Sequence, residues 1–423
     1  MRVGYGRVEF AVPDGTPMGG YLDRPGPSTG RLDPLEVSAV TWFDGERRFA
    51  LATADVICVN EDLARRARQL VGCELWLAAS HTHAGPETGC VPGGGPTPEP
   101  WLDRIAEATR AAVGQAIAGE RPCAGTAHHG ELRGVGADRS RPSAEAVVPL
   151  DLIAVRADGP AAQAGGRVNR ASGLAGVLVV LPVHPTVLPA ANRLTSADLV
   201  GSVRRSLRER LGEDVWVVVA TGAAGDISTR HTRRGQDPAE LDRLGGVVAD
   251  RCIELLAGPT AQSNAEPIAA PTTPGWSADS RISSAERRLT LQPASVAADP
   301  AALTAGYEAA LAAGDPVATR LARSRLEGVR ARTAPLAPIG VTVHATRLGG
   351  LAMVGLPGEP FLAVAENLRA PEGVVLGYVN GYPGYLPTID AYQRTEYEVL
   401  ASPVAPGSAE LLAETARHLL EES

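Results

Sequence analysis

The chain has 423 residues, 44% hydrophobic and 4% aromatic, with a formal net charge of -8 and a pI near 5.6. The charge argues against a nucleic-acid partner or an acidic membrane surface, and aliphatic side chains and alanine must build the core. Every Lys-or-Arg position is arginine, which fits codon usage in a GC-rich genome and excludes lysine nucleophiles and Schiff-base chemistry.

In chain order, Val3 to Val12 reads as a strand leading into the turn-rich stretch Pro13 to Tyr21. Val37 to Phe43 and Arg48 to Val56 read as a hairpin around Asp44-Gly45, its second strand ending at Asp55. The apolar run Leu75 to Ala79 predicts a buried strand and delivers Ser80-His81-Thr82-His83-Ala84-Gly85-Pro86. On extended backbone His81 and His83 share a side, and Gly-Pro then turns the chain at the sheet end. That suits a metal ligand with an acid/base neighbour, or equally a hydrogen-bonding histidine pair in a loop.

After a Gly/Pro loop, Val91 to Pro100, comes a helix over Trp101 to Ala118. Ala124 to Arg133 and Val148 to Val155 read as paired strands flanking the polar loop Gly136 to Ser140. The aliphatic run Gly173 to Val183 ends in His184; a helix over Ser196 to Leu211 and a strand over Val215 to Ala220 deliver Thr221 to Ser228. Asp237, Pro238 and Glu240 mark the start of a helix that runs to about Leu256. Pro/Thr/Ser/Asn-rich composition over 258–280 predicts a surface loop, and 300–332 a helical hairpin around Gly314-Asp315 with its arginines solvated. Thr342 to Leu348 and Leu351 to Leu356 form another hairpin, Pro357-Gly358-Glu359-Pro360 turns into a helix, and a helix over Ser408 to Leu420 closes the chain. Five scattered cysteines without a CxxC pair indicate neither a disulfide framework nor a cysteine metal site. With no basic-then-apolar leader and no bilayer-length apolar run, a cytoplasmic protein without a transmembrane segment is expected.

Several buried runs thus end in polar residues: Asp55, His81 with His83, His184, Asp226 with Ser228, and Glu359. In α/β folds sites form where such strand ends converge. Each also has a plain reading: His184 as a core histidine, Glu359 as a helix cap, Asp226 and Ser228 as turn residues. His128, His129, His231, His344 and His418 lack this context and read as structural or surface residues.

The motifs resemble, in the same order, those of the neutral (non-lysosomal) ceramidase family. The heptapeptide Ser80 to Pro86 is similar to that family's SHTHSGP signature, Val183 to Thr186 to AVHGTS, and Gly222 to Ser228 to NxGDxSPN. Leu356 to Glu359 resembles its PGE element, and Asn380 to Tyr385 through Tyr392 to Glu398 its tyrosine-rich block. The resemblance implies an α/β fold, a mixed β-sheet core flanked by helices, as one catalytic domain over 1–423; the signal peptide and C-terminal immunoglobulin-like domain of the family's secreted members are not expected here. It implies Zn2+ held by His81, His184, Glu359 and Tyr385, with His83, Arg139 and Tyr397 lining the reacting group. Zinc with an open position lowers the pKa of bound water to about 7, and the hydroxide attacks the amide carbonyl of an N-acyl amine. Arginine and phenol donors stabilise the oxyanion, and His83 passes a proton to the leaving amine. Ser228 is assigned a substrate or supporting role, with Asp226 orienting its neighbours. The implied partner is a lipid or small-molecule amide, ceramide or a smaller metabolite. Alternatives are a biosynthetic variant forming or rearranging an amide or lactam, and an acyltransferase using Ser228 as nucleophile.

Overall fold

The computed structural model describes residues 1–141, 146–157, 173–258, 275–277, 279–294, 299–331, 337–368, 373–394 and 396–423. Long aliphatic runs set its main sheet. Leu35–Phe43, Arg48–Ala54, Glu74–Ala79, Leu174–Leu181 and Trp216–Thr221 are almost wholly buried, as strands covered on both faces must be. In this nine-stranded sheet the order is Trp216–Thr221, Leu174–Leu181, Val147–Ala157, Arg121–Arg133, Arg2–Phe10, Leu35–Phe43, Arg48–Ala54 and Glu74–Ala79, with Gly275–Trp276 pairing off the path.

The middle is antiparallel, and each end carries one parallel pair: Arg48–Ala54 with Glu74–Ala79, and Leu174–Leu181 with Trp216–Thr221. A parallel pair needs a crossover, usually helical. Asp198–Leu211 supplies one and Glu61–Val71 the other. The second helix is absent from the sequence reading, because its sequence buries only Leu63, Ala64 and Ala67.

A second sheet, ordered Ile282–Leu291, Ile339–Leu348, Leu351–Gly355 and Gly373–Leu376, packs on one face of the first. Trp42, Phe49, Trp76 and Leu178 from the main sheet meet Leu348, Met353, Val374 and Leu376 there. Helices Glu61–Val71 and Trp101–Ala118 cover part of the other face of the main sheet, Asp198–Leu211 and Pro238–Ala257 the rest, and Ser408–Glu422 backs the second sheet. The fold is therefore α/β, with mixed sheets flanked by helices. The Ile282–Leu291 strand escapes sequence reading because charged Glu286, Arg287 and Arg288 interrupt its alternation.

The loop expected over 258–280 lies largely outside the described residues; of its described part, Gly275–Trp276 is a strand paired to Arg121–Arg133. The helical hairpin is present as Pro300–Ala312 and Pro316–Ala331, while Arg332 lies outside the described residues. Among the described residues no helix is long and apolar enough to cross a membrane.

The edge strands of the main sheet meet. Thr221 Oγ1 donates to Ser80 O at 2.8 Å. The segment after Gly373–Leu376 is stitched to both edges: Gly377 N donates to Thr221 O at 3.1 Å, Ala79 N to Tyr378 O at 3.2 Å, and Asn380 N to Leu77 O at 3.0 Å. This closure brings the ends of both parallel pairs to one place.

Candidate metal centre

His81 follows Glu74–Ala79 and His184 follows Leu174–Leu181, at the C-terminal ends of one strand from each parallel pair. Glu359 arrives from the second sheet, its short strand Glu359–Pro360 pairing parallel with Tyr385–Leu386. Gly225 lets the Thr221-to-Ser228 loop press against it, since a Cβ there would lie 2.4 Å from Glu359 O.

The three side chains are almost completely buried. His81 Nε2 lies 3.0 Å from His184 Nε2, and Glu359 Oε2 lies 3.3 Å from the first and 3.1 Å from the second. Ligands about 2.0–2.1 Å from one tetrahedral zinc stand roughly 3.3 Å apart, so the triangle has the right size. The hydrogen bonds behind it fix the tautomers. His81 Nδ1 meets Ile57 O at 2.7 Å and His184 Nδ1 meets Ala224 O at 2.6 Å. A carbonyl only accepts, so each Nδ1 carries the proton, and a neutral ring in that tautomer turns a lone pair inward from Nε2. Glu359 Oε1 accepts from the Tyr382 hydroxyl at 2.5 Å, while buried Oε2 finds no hydrogen-bond donor among the described residues. Electron pairs converge without a donor between them. A cation resolves that arrangement; a hydrogen bond between the rings does not.

His83 Nε2 stands 3.4 Å from His81 Nε2, and the three imidazoles offer ligand atoms within 4.8 Å of one another. The cluster could hold a metal through three histidines, with Glu359 equally close to two of them. Gly20, at φ 94°, seats His83: a Cβ there would lie 2.4 Å from its Nδ1. Burial pushes the His83 pKa well below its ordinary value, and burial followed by the Arg139 charge lowers that of His184 to about 4. Both therefore rest neutral, the form that binds metal or accepts a proton. Backbone strain gathers here too, with His81, Tyr378 and Asn380 all at positive φ (62°, 62° and 56°). Each such residue costs on the order of 1–3 kcal/mol and persists only where its surroundings dictate it.

The other sequence-predicted residues surround this triangle. Arg139, 7% exposed, ion-pairs with buried Glu398 and donates to Gly225 O at 2.7 Å. Its guanidinium lies 5.1 Å from the centre of the Tyr385 ring and 5.9 Å from that of Tyr397, and it hydrogen-bonds Tyr385. The Tyr385 ring stacks on His184 at 6.4 Å. Asp226 accepts from Leu362 N at 2.8 Å and its own carbonyl accepts from Arg139 N at 2.9 Å. Ser228 is buried beside His184, to which its backbone is bridged, and its Oγ accepts from Arg230 N at 3.3 Å. Among the described residues no imidazole hydrogen-bonds that hydroxyl, so a serine nucleophile would lack a base.

A cleft opens onto the centre in two lobes. His83, Tyr385, Tyr397, Gly20, Tyr21 and Leu22 line both. One lobe, of about 270 Å³, contains Met18, Ile57, Val91 and Pro92 beside His81 and Glu359. The other, of about 290 Å³, is polar and holds Arg139, Ser228, Arg230 and Arg233.

Asp55 does not join this site. It is fully buried and bound by Arg204 through Nη1 at 3.1 Å and Nη2 at 2.5 Å. His129 pairs with Asp151, His344 with Glu286, and His418 is exposed. Of the hairpin arginines expected to be solvated, Arg323 and Arg330 line the cleft. Two residues of the centre carry no role in the sequence reading: Tyr382, which holds Glu359, and Glu398, which holds Arg139. Both lie within the tyrosine-rich block, where nothing in their spacing separates them from Tyr385 and Tyr397.

No protein-family model matches the chain. A neutral ceramidase of Mycobacterium tuberculosis is 24% identical over 84% of this chain and 66% of its own length, so the chain spans about two thirds of that relative. A solved structure described as ceramidase complexed with C2 superposes with a TM-score of 0.74 at 18% identity, covering 100% of this chain and 75% of the other. The neutral ceramidase from Pseudomonas aeruginosa gives a TM-score of 0.70 at 17% identity, covering 99% and 73%.

Proposed function

On a chain with the neutral ceramidase fold, we propose a zinc-dependent amide hydrolase acting on an N-acyl amine. The observation that carries this reading is the donor-free convergence of His81 Nε2, His184 Nε2 and Glu359 Oε2. Two neutral imidazoles and a carboxylate are a borderline donor set that suits zinc in an open catalytic site. We assign the fourth protein position to Tyr385; burial raises its phenol pKa well above the ordinary value, adjacent Arg139 offsets only part of that, and a bound cation would supply the rest. A bound zinc would polarise the amide and bring the pKa of a water to about 7.

The chain's own groups supply the rest. His83 is buried, neutral and beside His81, so it can take the proton of the attacking water and deliver it to the leaving amine. Arg139 is held by Glu398 and Gly225 O, which presents its charge with Tyr397 to the oxygen that becomes negative. Asp226 fixes the backbone of Arg139 and the start of the Leu362–Glu366 helix, an orienting role. Ser228 contributes polarity to the cleft wall.

Metal analysis of the full chain should find about one zinc per chain. Removing it with a chelator should abolish hydrolysis of a panel of N-acyl amino acids, N-acyl sphingosines and simple N-acyl amines, and zinc should restore it. Full activity in protein stripped of metal, or no amide cleavage by the zinc-loaded protein across the panel, would sink the proposal.

A further inference from the structure

The polar lobe carries a charge pattern that a neutral lipid amide does not use. Arg139, Arg230, Arg233 and Arg323 line it, against the two carboxylates Asp23 and Glu327. Both carboxylates meet Arg323 at the mouth, at 2.6 and 2.7 Å, and Glu398 matches Arg139 from behind. Arg230 and Arg233 enter from the segment just past Ser228. Arg230 donates to Arg139 O at 3.2 Å and Arg233 to Thr186 O at 2.5 Å. Those carbonyls orient the two guanidinium groups along the wall. Arg230 and Arg233 thus stand with Arg139 on one wall of the lobe, beside the reacting groups.

We propose that Arg230 and Arg233 bind a carboxylate of the substrate, making the natural substrate a compact N-acyl amino acid or a similar anionic amide. This rests on the amide-hydrolase reading above. His83, Tyr385 and Tyr397 line both lobes, so the scissile amide lies at their junction. The acyl group enters the lobe of Met18, Ile57, Val91 and Pro92, and the carboxylate-bearing amine faces the arginines. Arginine forks match a carboxylate with charge-assisted hydrogen bonds. Size is compatible: the lobes of about 270 and 290 Å³ together fall inside the roughly 300–1,000 Å³ of pockets for drug-sized ligands.

The test uses the zinc-loaded full chain and two uncleavable ketone isosteres of hexanoylglycine and its amide, 4-oxononanoate and 4-oxononanamide, with binding followed by titration calorimetry. The acid should bind at least about tenfold more tightly than the neutral amide, as a charge-assisted contact requires. Arg230→Gln and Arg233→Gln should each reduce that ratio towards one, chiefly by weakening the acid; both positions are only part-buried, and an unchanged thermal midpoint checks the fold. Equal affinities in the wild type, binding of neither probe, or a ratio unaffected in both variants overturns the proposal. Turnover is read separately. Selective binding of the acid without cleavage of hexanoylglycine keeps the anion site and removes the hydrolase, whereas equal cleavage of hexanoylglycine and hexanoylglycinamide removes the anion site alone.

Discussion

Two buried polar clusters grow from equivalent places in this fold and end in opposite states. Asp55 follows Arg48–Ala54 just as His81 follows Glu74–Ala79, and these strands are parallel neighbours. Asp55 turns into a closed ion network: Arg204 binds it, and Glu36 N donates to it at 2.9 Å. Arg204 also reaches Glu36 at 3.4 Å, and Arg208 binds Glu36 at 3.1 Å. Burial opposes the Glu36 charge, yet Arg204 and Arg208 bring its pKa down to about 2. Arg7 stands 3.7 Å from Glu36 as well, so two carboxylates face three guanidiniums and each charge has an opposite neighbour. Where His81, His184 and Glu359 meet, the described residues bring only electron-pair donors together. A cluster that satisfies itself holds the fold, while one with surplus lone pairs is completed from outside.

The sharpest way to break this contrast is to remove one ligand. His81→Ala, His184→Ala or Glu359→Gln should each cut bound zinc to below about a tenth of wild type and activity by at least about a thousandfold, since the ion supplies several kcal/mol of transition-state stabilisation. The thermal midpoint of the metal-free Glu359→Gln variant should hold or rise, because an amide can donate towards the facing histidine lone pairs where a carboxylate cannot. Metal analysis and calorimetry on the same preparations decide it. A large loss of apo stability would make the centre structural after all.

Arg204→Ala should do the reverse. It strands Asp55 as a buried charge while Glu36 keeps Arg208, so denaturant unfolding should report a loss of about 3–5 kcal/mol. Zinc content per folded chain should not change. If Arg204→Ala instead spares stability and costs metal, the two clusters are one unit and the distinction fails.

This contrast also marks how far the sequence could be read. Polar residues after apolar runs identified Asp55, His81, His184 and Glu359 alike, because strand ends are local. What separates them is distant: Arg204 lies 149 residues from Asp55, and Glu398 lies far from Arg139 in the chain. Counter-charges at such separations leave no local trace. The fold has the same asymmetry. Continuous aliphatic runs expose the strands of the main sheet, but helix Glu61–Val71 is dictated by a parallel pairing that only the tertiary structure contains. The arginines of Pro316–Ala331 read as a solvated face, and Arg323 stays half-exposed while it reaches Asp23 at the mouth of the cleft, a contact that leaves no local trace.

A smaller change tests whether the centre is tuned from behind. Tyr382→Phe removes the hydroxyl that donates to Glu359 Oε1 and leaves the packing almost unaltered. Loss of such a partner typically lowers metal affinity by about 10–100-fold, measurable by competition with a chromogenic chelator. Unchanged affinity would mean that the 2.5 Å hydrogen bond serves packing alone.

The mildest prediction concerns Asp226, which stands between the two kinds of cluster: it orients its neighbours through backbone hydrogen bonds rather than through an ion pair. Burial raises its pKa to about 7, and the hydrogen bond from Leu362 N only partly offsets that. Between the ordinary carboxylate value of 3.8 and about 7, the folded protein therefore holds a proton that the unfolded chain has released. Linkage then requires its contribution to stability to be present at low pH and to fall as pH rises through that window. An asparagine side chain at this position would keep the oxygen that accepts from Leu362 N and never ionise. Asp226→Asn should thus be near neutral around pH 3.5 and stabilising by about 1 kcal/mol at pH 8, a figure discounted because the residue is part-exposed. Thermal melts of both proteins across this range give the test, and parallel curves would mean that Asp226 is already ionised and paired in the folded state.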